Sequence, residues 1–224
     1  MKTPKGLEIS KNEILQPFYF LIFQGKIKLM EILKITRENF KEIIKIVTKS
    51  IKKGKVIIFP TDTVYGFLCD ATNKKAVQKI FKIKKRSFKK PIPIFVKDIK
   101  MAKNLAIISK KQEKLLKKYW PGKVTVRLKR KTGKKLYGVG ENAIALRISK
   151  YKLLNNLVEN LNFPLAQTSV NFSGELTITS AKEALRIFSK IKTKPDLIID
   201  GGKLKSKPSK IIDLTINPPK ILRP

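Results

Sequence analysis

Short apolar runs alternate along this chain with longer segments whose apolar residues recur at helical spacing, and this alternation constrains the fold more than any other feature. The apolar positions between Phe40 and Ile51 recur as on one face of a helix, and the run Lys55–Phe59 that follows suits a buried strand. The alternation continues without an internal repeat. It predicts an α/β domain in which helices flank a twisted, open sheet of mixed strand directions.

Start and stop signals give the expected bounds of the elements. Thr36 is expected to cap the first helix, and Gly54 is expected to end it. Ser109 and Ser180 each occupy the first position of a capping-box motif. The predicted helices after the first are 74–84, 99–105, 109–120, 151–161 and 180–191, and the predicted strands are 55–59, 92–96, 124–128, 143–148, 165–169, 197–200, 211–214 and 220–222.

Residues 1–30 fall outside the alternating pattern and are interpreted as an N-terminal extension that precedes one domain at residues 31–224. The apolar stretch Ile14–Phe23 is shorter than the ~20 residues that span a bilayer. It resembles a signal-peptide core, but two glutamates precede it and no small-residue cleavage site follows it. Met30 is an alternative start, because the regular pattern begins directly after it. We therefore expect a cytoplasmic protein that does not enter a membrane.

The chain carries 51 Lys and Arg residues against 16 Asp and Glu, a net charge of +35. Such a charge attracts polyanions such as RNA, nucleotides or anionic lipid. It also arises when lysines are simply abundant and scattered over a solvated surface. Only seven of the 51 are Arg, the side chain whose planar fork grips a phosphate at two points. This ratio favours a lysine bias for most of the charge, with a positive field remaining around any site for anionic substrates.

The sequence contains no His and a single Cys, Cys69. An intrachain disulfide, a His-based catalytic triad and a zinc site of His and Cys ligands are therefore excluded. The chemistry of this protein must use Lys, Arg, Ser, Thr, Asn or Asp, or a metal ion bound through oxygen.

Two segments that follow predicted strands are crowded with polar side chains. Pro60–Gly66 carries two hydroxyls, a carboxylate and a phenol at the strand end where open α/β sheets bind ligands. In Thr168–Gly174, Ser169 and Asn171 alternate, so that both can face one cavity. Taken alone, the first segment is equally explained by a polar turn that satisfies its own backbone, and the second by a cap that ends a strand.

Two further segments carry cations and a hydroxyl. Lys84 and Arg86 follow a predicted helix, and in an extended chain they face the same side, where they can clamp a phosphate or a carboxylate. A solvated charge run is the more frequent explanation in so lysine-rich a chain, although Arg86 stands out because Arg is scarce. Ser209, within Pro208–Asp213, and Arg223 can reach a nucleotide from the last strands, which is a weak indication by itself.

In this order and spacing the segments resemble the YrdC-like family, the threonylcarbamoyl-AMP synthases, in its short single-domain form. The family pattern reads P-T-[DE]-T-x-Y-G-L, K-x-R-P with K-P soon after, P-G-x-x-T, A-x-R-x-P, S-A-N-x-S-G, S-T-x-x-D and a terminal L-R. The similarity covers residues 31–224, and the whole ordered set is far more specific than any one motif. The matching residues are Pro60–Gly66, Lys84, Arg86, Lys90-Pro91, Pro121-Gly122, Thr125, Ala145, Arg147, Ser169, Asn171, Ser173-Gly174, Ser209, Asp213 and Leu222-Arg223.

The chain departs from the family pattern at five positions. Phe67 and Val170 replace Leu and Ala, which is expected to alter packing only. Ser87 and Ser149 replace prolines and are expected to loosen the backbone. Lys210 replaces Thr, and it either weakens the nucleotide contact of its loop or adds a phosphate contact.

The resemblance implies a nucleotidyltransferase with a concave basic cleft, which forms threonylcarbamoyl-AMP and pyrophosphate from ATP, L-threonine and bicarbonate. It also implies Mg²⁺ carried with ATP rather than by a protein metal site, and a partner complex that transfers the threonylcarbamoyl group to tRNA. This chemistry needs positioning and charge neutralisation, which a chain without His can supply. The implied catalytic residues are Lys84, Arg86, Ser169 and Asn171, the threonine-binding residues are Thr63, Tyr65, Arg147 and Thr168, and the ATP-binding residues are Arg86, Lys90, Thr125, Asn171, Ser209 and Arg223.

Two alternatives stay open at this point. The net charge of +35 is also consistent with a protein of the same fold that binds double-stranded RNA or tRNA, or acts in ribosome maturation. The second alternative is that the chain corresponds to the related domain of hydrogenase-maturation carbamoyltransferases. Those larger proteins carry zinc-finger and acylphosphatase modules, for which one Cys and 224 residues leave no room.

Overall fold

The computed structural model describes residues 30–224, which form a 10-stranded sheet with helices packed against it. The predicted extension, residues 1–30, lies outside the described residues apart from Met30. No helix in the described part of the chain is long and apolar enough to cross a bilayer. The strands are β1 (Glu31–Lys34), β2 (Ile57–Phe59), β3 (Gly66–Asp70), β4 (Ile94–Phe95), β5 (Val124–Lys129), β6 (Ala143–Arg147), β7 (Leu165–Ser169), β8 (Leu197–Asp200), β9 (Lys210–Asp213) and β10 (Lys220–Arg223), and the helices are α1 (Phe40–Lys52), α2 (Lys74–Lys84), α3 (Ile99–Leu105), α4 (Lys110–Tyr119), α5 (Lys152–Leu161) and α6 (Ala181–Phe188).

The strand order is β1-β8-β2-β3-β7-β4-β6-β5-β9-β10, and the sheet is mixed, which confirms the predicted fold class. β1, β8 and β2 run parallel, whereas β3 runs antiparallel to both β2 and β7. β4 is antiparallel to β7 and parallel to β6, and β5 is parallel to β9. The pairing of β3 with β7 places Gly66 opposite Ser169, so two of the polar segments found in the sequence lie side by side.

Helices cover both faces of the sheet, because successive residues of a strand point to opposite sides. On β2, Ile58 belongs to the core cluster that includes α2, α3, α4 and α6, whereas Ile57 and Phe59 belong to the cluster that includes α1 and α5. All three side chains are fully buried. Because β2 is apolar on both sides, the polar side chains next to it lie beyond its end, in the connection to β3.

Most predicted elements are confirmed, and four have the predicted bounds: α2, α3, β7 and β8. Ser109 and Gln112 form the predicted capping box at the start of α4. The predicted cap of α1 is wrong, because Asn39 occupies the N-cap position. Thr36 instead exchanges hydrogen bonds with Asn39, whose Oδ1 accepts from Thr36 N at 2.9 Å. The periodicity also did not predict β1 or β3.

Candidate active site

Lys84, the last residue of α2, is only 1% exposed. Its Nζ donates to the carbonyl oxygens of Ser169 at 2.6 Å and Asn171 at 2.9 Å, and to Asn171 Oδ1 at 2.6 Å. An ammonium has three N–H groups, so these acceptors match all of them. The helix stops here because Lys85 adopts the left-handed conformation, with φ of 50°. Lys84 therefore joins the end of α2 to the end of β7.

The side chains of Ser169 and Asn171 meet at the end of β7. Ser169 Oγ donates at 2.8 Å to Asn171 Oδ1, the oxygen that also accepts from Lys84. Asn171 Nδ2 donates to the Glu175 carbonyl at 2.6 Å, which fixes the orientation of the amide. Three of the four predicted catalytic residues thus form one hydrogen-bonded group, which we call the Lys84 cluster: Lys84, Ser169 and Asn171.

Burial, and beyond it the charge of Arg86, lowers the pKa of Lys84 to about 7. The ammonium and the neutral amine therefore coexist near neutral pH. An anion that binds beside Lys84 favours the ammonium and raises this pKa again. The Lys84 cluster is consequently a place where the binding of a negatively charged group and the protonation of the lysine support each other.

The lowered pKa makes stability depend on pH through Lys84. The unfolded chain keeps this lysine protonated up to the ordinary pKa of 10.5, so between pH 7 and that value the unfolded state binds more protons and stability rises with pH. Below pH 7 both states are protonated, and the cost of burying the ammonium is fully present. We expect the free energy of unfolding of the wild type, minus that of Lys84→Met, to increase from about pH 6.5 to about pH 9.5 in urea titrations. A constant difference across this range contradicts the lowered pKa.

Arg86 lies beside the Lys84 cluster, but the backbone of the next turn holds its guanidinium. Nε donates to the Lys90 carbonyl at 2.8 Å, and Nη2 donates to the Pro91 carbonyl at 3.0 Å. The expectation that Lys84 and Arg86 face one side of an extended segment is wrong, because the left-handed Lys85 turns the chain between them. The side chain of Lys90 is exposed, and its contribution to this arrangement is its carbonyl.

Arg147, at the end of β6, is 2% exposed and is ion-paired with Asp62. Its Nη2 lies 2.7 Å from Asp62 Oδ1, and its Nη1 donates to Thr63 Oγ1 at 3.2 Å. The third nitrogen, Nε, donates to the Gly122 carbonyl at 2.9 Å. Burial lowers the pKa of Arg147, while the Asp62 carboxylate favours its charged form. We call Asp62, Thr63 and Arg147 the Arg147 cluster.

Tyr65 and Thr168, the other predicted threonine-binding residues, are buried, Tyr65 directly before β3 and Thr168 one residue before the end of β7. The Tyr65 hydroxyl donates to the Gly202 carbonyl at 2.7 Å and accepts from Gly201 N at 3.0 Å. Burial raises the pKa of Tyr65, so the phenol stays protonated. Gly201 has no room for a side chain, because a Cβ there lies 2.8 Å from Pro60 Cγ. Tyr65 thus anchors the connection after β8 against the one between β2 and β3.

Thr125, Ser209 and Arg223, predicted to bind ATP, come together at the ends of β5, β9 and β10. Thr125 Oγ1 and Ser209 Oγ lie 2.9 Å apart. Arg223 donates from Nε to the Ser209 carbonyl at 2.8 Å and from Nη2 to Ser209 Oγ at 3.2 Å. Thr125 and Ser209 are buried, whereas Arg223 is exposed. We call these three residues the Arg223 cluster.

The three clusters are neighbours. Val170 N donates to the Tyr65 carbonyl at 2.9 Å, so the segment that carries Thr63 runs beside the end of β7 and the Lys84 cluster. Arg147 Nε donates to the Gly122 carbonyl, and the carbonyl of the next residue, Lys123, accepts from Lys210 N at 3.0 Å, directly after Ser209 of the Arg223 cluster. The Arg147 cluster therefore stands between the other two.

Two residues of this site were not among the predicted site residues, namely Asp62 and Ser149. Ser149 is 2% exposed; its Oγ donates to Asp62 Oδ1 at 2.6 Å and accepts from Tyr151 N at 3.1 Å. The expectation that Ser149 loosens the backbone is wrong, because its hydroxyl ties two segments together. Asp62 was visible in the sequence as the carboxylate beside Thr63, but no spacing signalled its pairing with Ser149.

Within residues 30–224, no group of three or more Cys, Asp or Glu side chains is arranged to hold a metal ion. Asp62, the carboxylate of the Arg147 cluster, already accepts from Arg147, Ser149 Oγ and Lys150 N. The residues of the site therefore do not fit a metal ion held by protein ligands, and we derive no step through one.

A surface groove of about 480 Å³ lies between α4 and the connection of β9 to β10. Its walls combine lysines of α4 with apolar residues such as Leu115, Leu214 and Ile216. None of the candidate site residues lines it. The hydrogen-bonded clusters, rather than this groove, therefore define the candidate site.

Comparisons with known proteins identify the family of this chain. The family model of Sua5, YciO and YrdC, described as "Telomere recombination", matches residues 49–224. A putative threonylcarbamoyl-AMP synthase of Methanocaldococcus jannaschii is 36% identical over 190 residues, which cover 84% of this chain and 88% of that protein. The threonylcarbamoyl-AMP synthase of Pyrococcus abyssi is 35% identical over 199 residues, which cover 87% of this chain but 58% of that protein.

Solved structures show the same fold. The crystal structure of Pyrococcus abyssi Sua5 complexed with L-threonine has a TM-score of 0.76 and 33% identity, covering 88% of this chain and 57% of that one. The crystal structure of Escherichia coli YciO also has a TM-score of 0.76, with 25% identity, covering 87% of this chain and 95% of that one. This chain thus spans little more than half of the Pyrococcus abyssi protein and nearly all of YciO. The fold, the ordered motifs and these matches together show that the chain belongs to the Sua5/YciO/YrdC family.

Proposed function

We propose that this protein is a threonylcarbamoyl-AMP synthase, a nucleotidyltransferase that uses ATP, L-threonine and bicarbonate. The observation that carries the proposal is the convergence of the Lys84, Arg147 and Arg223 clusters from distant parts of the chain. Relatives named threonylcarbamoyl-AMP synthase and the Sua5 complex with L-threonine support it. They do not favour the alternative of an RNA-binding or ribosome-maturation protein.

The proposed reaction has two steps. The amine of threonine adds to the carbon of bicarbonate and water leaves, which gives a carbamate. A carbamate oxygen then attacks the α-phosphorus of ATP, the bond to the bridging oxygen breaks, and pyrophosphate leaves. Neither step needs a covalent protein nucleophile, and both develop negative charge that cations must offset. A site built from Lys, Arg, hydroxyls and an amide suits this chemistry.

The Lys84 cluster offers the charge for the reacting centre. Lys84 Nζ is held by the carbonyls of Ser169 and Asn171, and a bound anion favours its ammonium form, which places a positive charge at the end of β7. Arg86 adds a second cation nearby, and its charge contributes to the lowered pKa of Lys84. A preorganised cation in a buried site stabilises developing negative charge more than a cation in water does, because it requires no reorganisation during the reaction.

The other two clusters bind different substrates. We propose that Thr63, Tyr65, Arg147 and Thr168 line the threonine side, as the resemblance implies. The Arg223 cluster, with Lys90 and Arg86, lies on the ATP side. Mg²⁺ arrives with ATP and is held by phosphate oxygens and water. The product passes to a tRNA-modifying threonylcarbamoyl transferase complex in the cytoplasm.

The proposal is tested by incubating the protein with ATP, L-threonine and labelled bicarbonate, followed by measurement of pyrophosphate and of labelled nucleotide product. We expect pyrophosphate release that requires both threonine and bicarbonate. Matched reactions that omit each substrate in turn serve as controls. Pyrophosphate release that is absent, or that does not change when threonine is omitted, rules out the proposed activity.

A further inference from the structure

The guanidinium of Arg147 is fixed on three sides. Its nitrogens donate to the Gly122 carbonyl, to Thr63 Oγ1 and to Asp62 Oδ1. The group also lies over the ring of Phe95, with 5.5 Å between Cζ and the ring centroid. A guanidinium has five N–H groups, so two of them, one on each terminal nitrogen, have no partner among residues 30–224. Because the side chain is only 3% exposed, these two N–H groups can serve only an oxyanion that enters the site itself.

Asp62 is itself held at both carboxylate oxygens. Oδ1 accepts from Arg147 Nη2 at 2.7 Å and from Ser149 Oγ at 2.6 Å, and Oδ2 accepts from Lys150 N at 3.1 Å. The side chains of Arg147 and Asp62 are 3% and 9% exposed, so water screens this pair little. Asp62 cannot rotate without breaking one of these bonds. Its role is therefore to orient the arginine rather than to exchange a proton with a substrate.

The hydroxyl of Ser149 connects this carboxylate to the start of α5. While it donates to Asp62, it accepts from Tyr151 N at 3.1 Å, and Tyr151 is the N-cap residue of α5. Ser149 follows Arg147 by two residues, so one short segment supplies both the arginine and the hydroxyl that holds its partner. The proline of the family pattern has no such hydroxyl, and this hydrogen bond belongs to the present chain.

We propose that Asp62 and Ser149 are positioning residues for Arg147, and that the Ser149 hydroxyl holds the arginine so that its two remaining N–H groups face a substrate oxyanion. The inference rests on the proposed function, since Arg147 lies between the threonine and ATP sides. A guanidinium with two parallel N–H groups suits a phosphate or carboxylate, which it binds at two points. Ser149 acts through Asp62 and does not itself contact the substrate.

Kinetics of Ser149→Ala test this inference. We expect kcat to fall about 10-fold while the KM for threonine changes less than about threefold, because the arginine is loosened and not removed. Asp62→Asn should lower kcat about 100-fold. The double variant should lose no more than about twofold beyond Asp62→Asn, because both residues act through one arginine. A Ser149→Ala enzyme with wild-type kcat, or losses that multiply in the double variant, overturns the inference.

Ser180→Ala is the matched control. Ser180 Oγ accepts from Glu183 N at the start of α6, so its removal also takes a hydroxyl acceptor from a backbone N–H near a helix start, but outside the three clusters. We expect Ser180→Ala to lower the melting temperature about as much as Ser149→Ala does and to leave kcat unchanged. Equal losses of kcat in both variants would assign the effect to general destabilisation and overturn the positioning role.

A second readout does not depend on activity. In wild-type protein the Nε–H resonance of Arg147 should be resolved and slow to exchange with solvent, because the group is buried and bonded. Ser149→Ala should broaden it and speed its exchange, whereas Ser180→Ala should not. An unchanged resonance in Ser149→Ala overturns the inference even if the proposed reaction is confirmed. If the wild type releases no threonine-dependent pyrophosphate, the proposed function fails while this measurement still decides the positioning role.

Discussion

Lys84→Met should lower kcat/KM for threonine-dependent pyrophosphate release by about 10³-fold while leaving the protein folded. The substitution removes the buried cation at the end of β7 but keeps an unbranched apolar stem of similar length. Three oxygens of Ser169 and Asn171 lose a donor, which costs stability. The burial of an ammonium also ends, and this offsets part of that loss near neutral pH. The variant therefore separates the charge of Lys84 from its packing.

Lys82→Met is the matched control for this prediction. Lys82 lies two residues earlier on the same helix and is exposed, so its removal changes the net charge equally without touching the Lys84 cluster. We expect its kcat/KM to stay within about twofold of wild type. Circular dichroism and urea unfolding verify that both variants are folded. A Lys84→Met enzyme that keeps more than about a tenth of wild-type kcat/KM contradicts the central role of this lysine.

Arg147→Met should destabilise the protein by about 3–5 kcal/mol and reduce kcat/KM by about 10³-fold. The stability loss follows because the Asp62 side chain, only 9% exposed, loses its ion-pair partner, although Ser149 and Lys150 N still donate to it. Urea unfolding measures the first effect and pyrophosphate release the second. Adding Asp62→Asn should restore part of the stability, since the uncompensated charge is removed, but none of the activity.

Arg127→Met provides the contrast. Arg127 also pairs with an aspartate, Asp213, with 2.6 Å between Nη1 and Oδ2, but its side chain is 44% exposed. The Asp213 side chain is only 6% exposed, but Thr215 N and Oγ1 also donate to it and the Arg127 guanidinium is in contact with water. We therefore expect a smaller loss than for Arg147→Met, about 1–2 kcal/mol, and unchanged kcat/KM. Equal stability losses in Arg147→Met and Arg127→Met would show that burial does not set the strength of these two pairs.

The layered fold followed from the sequence because each helix and most strands have their own local pattern. α2 and β7 have the predicted bounds, and in α2 the apolar residues recur at helical spacing. β3 was not predicted because Gly66–Asp70 follows a polar segment without a turn signal. Its four buried residues form a strand because they pair with β2 on one side and β7 on the other. The partner β7 is about 100 residues away in sequence, so its pairing with β3 leaves no local signal.

The candidate site was predictable as a set of residues but not as a geometry. The ordered motifs identified Lys84, Ser169 and Asn171, which the structure brings into one hydrogen-bonded group. The left-handed turn at Lys85 was invisible, because a lysine carries no signal for positive φ. The role of Ser149 was also not predictable. A serine in place of a proline indicates that a backbone restriction is lost, but it does not indicate which hydrogen bond the serine hydroxyl forms.

The pairing of the sheet has a consequence for the order in which the molecule can be assembled. β2 lies between β3, which follows it directly, and β8, and the contact of Val56 N with Asp196 Oδ2 joins residues 140 positions apart. Contacts of such high sequence separation are slow to form. During translation, β2 must wait for its second neighbour until nearly the whole chain has left the ribosome. The apolar edge of β2 is exposed to chaperones or to aggregation throughout that interval.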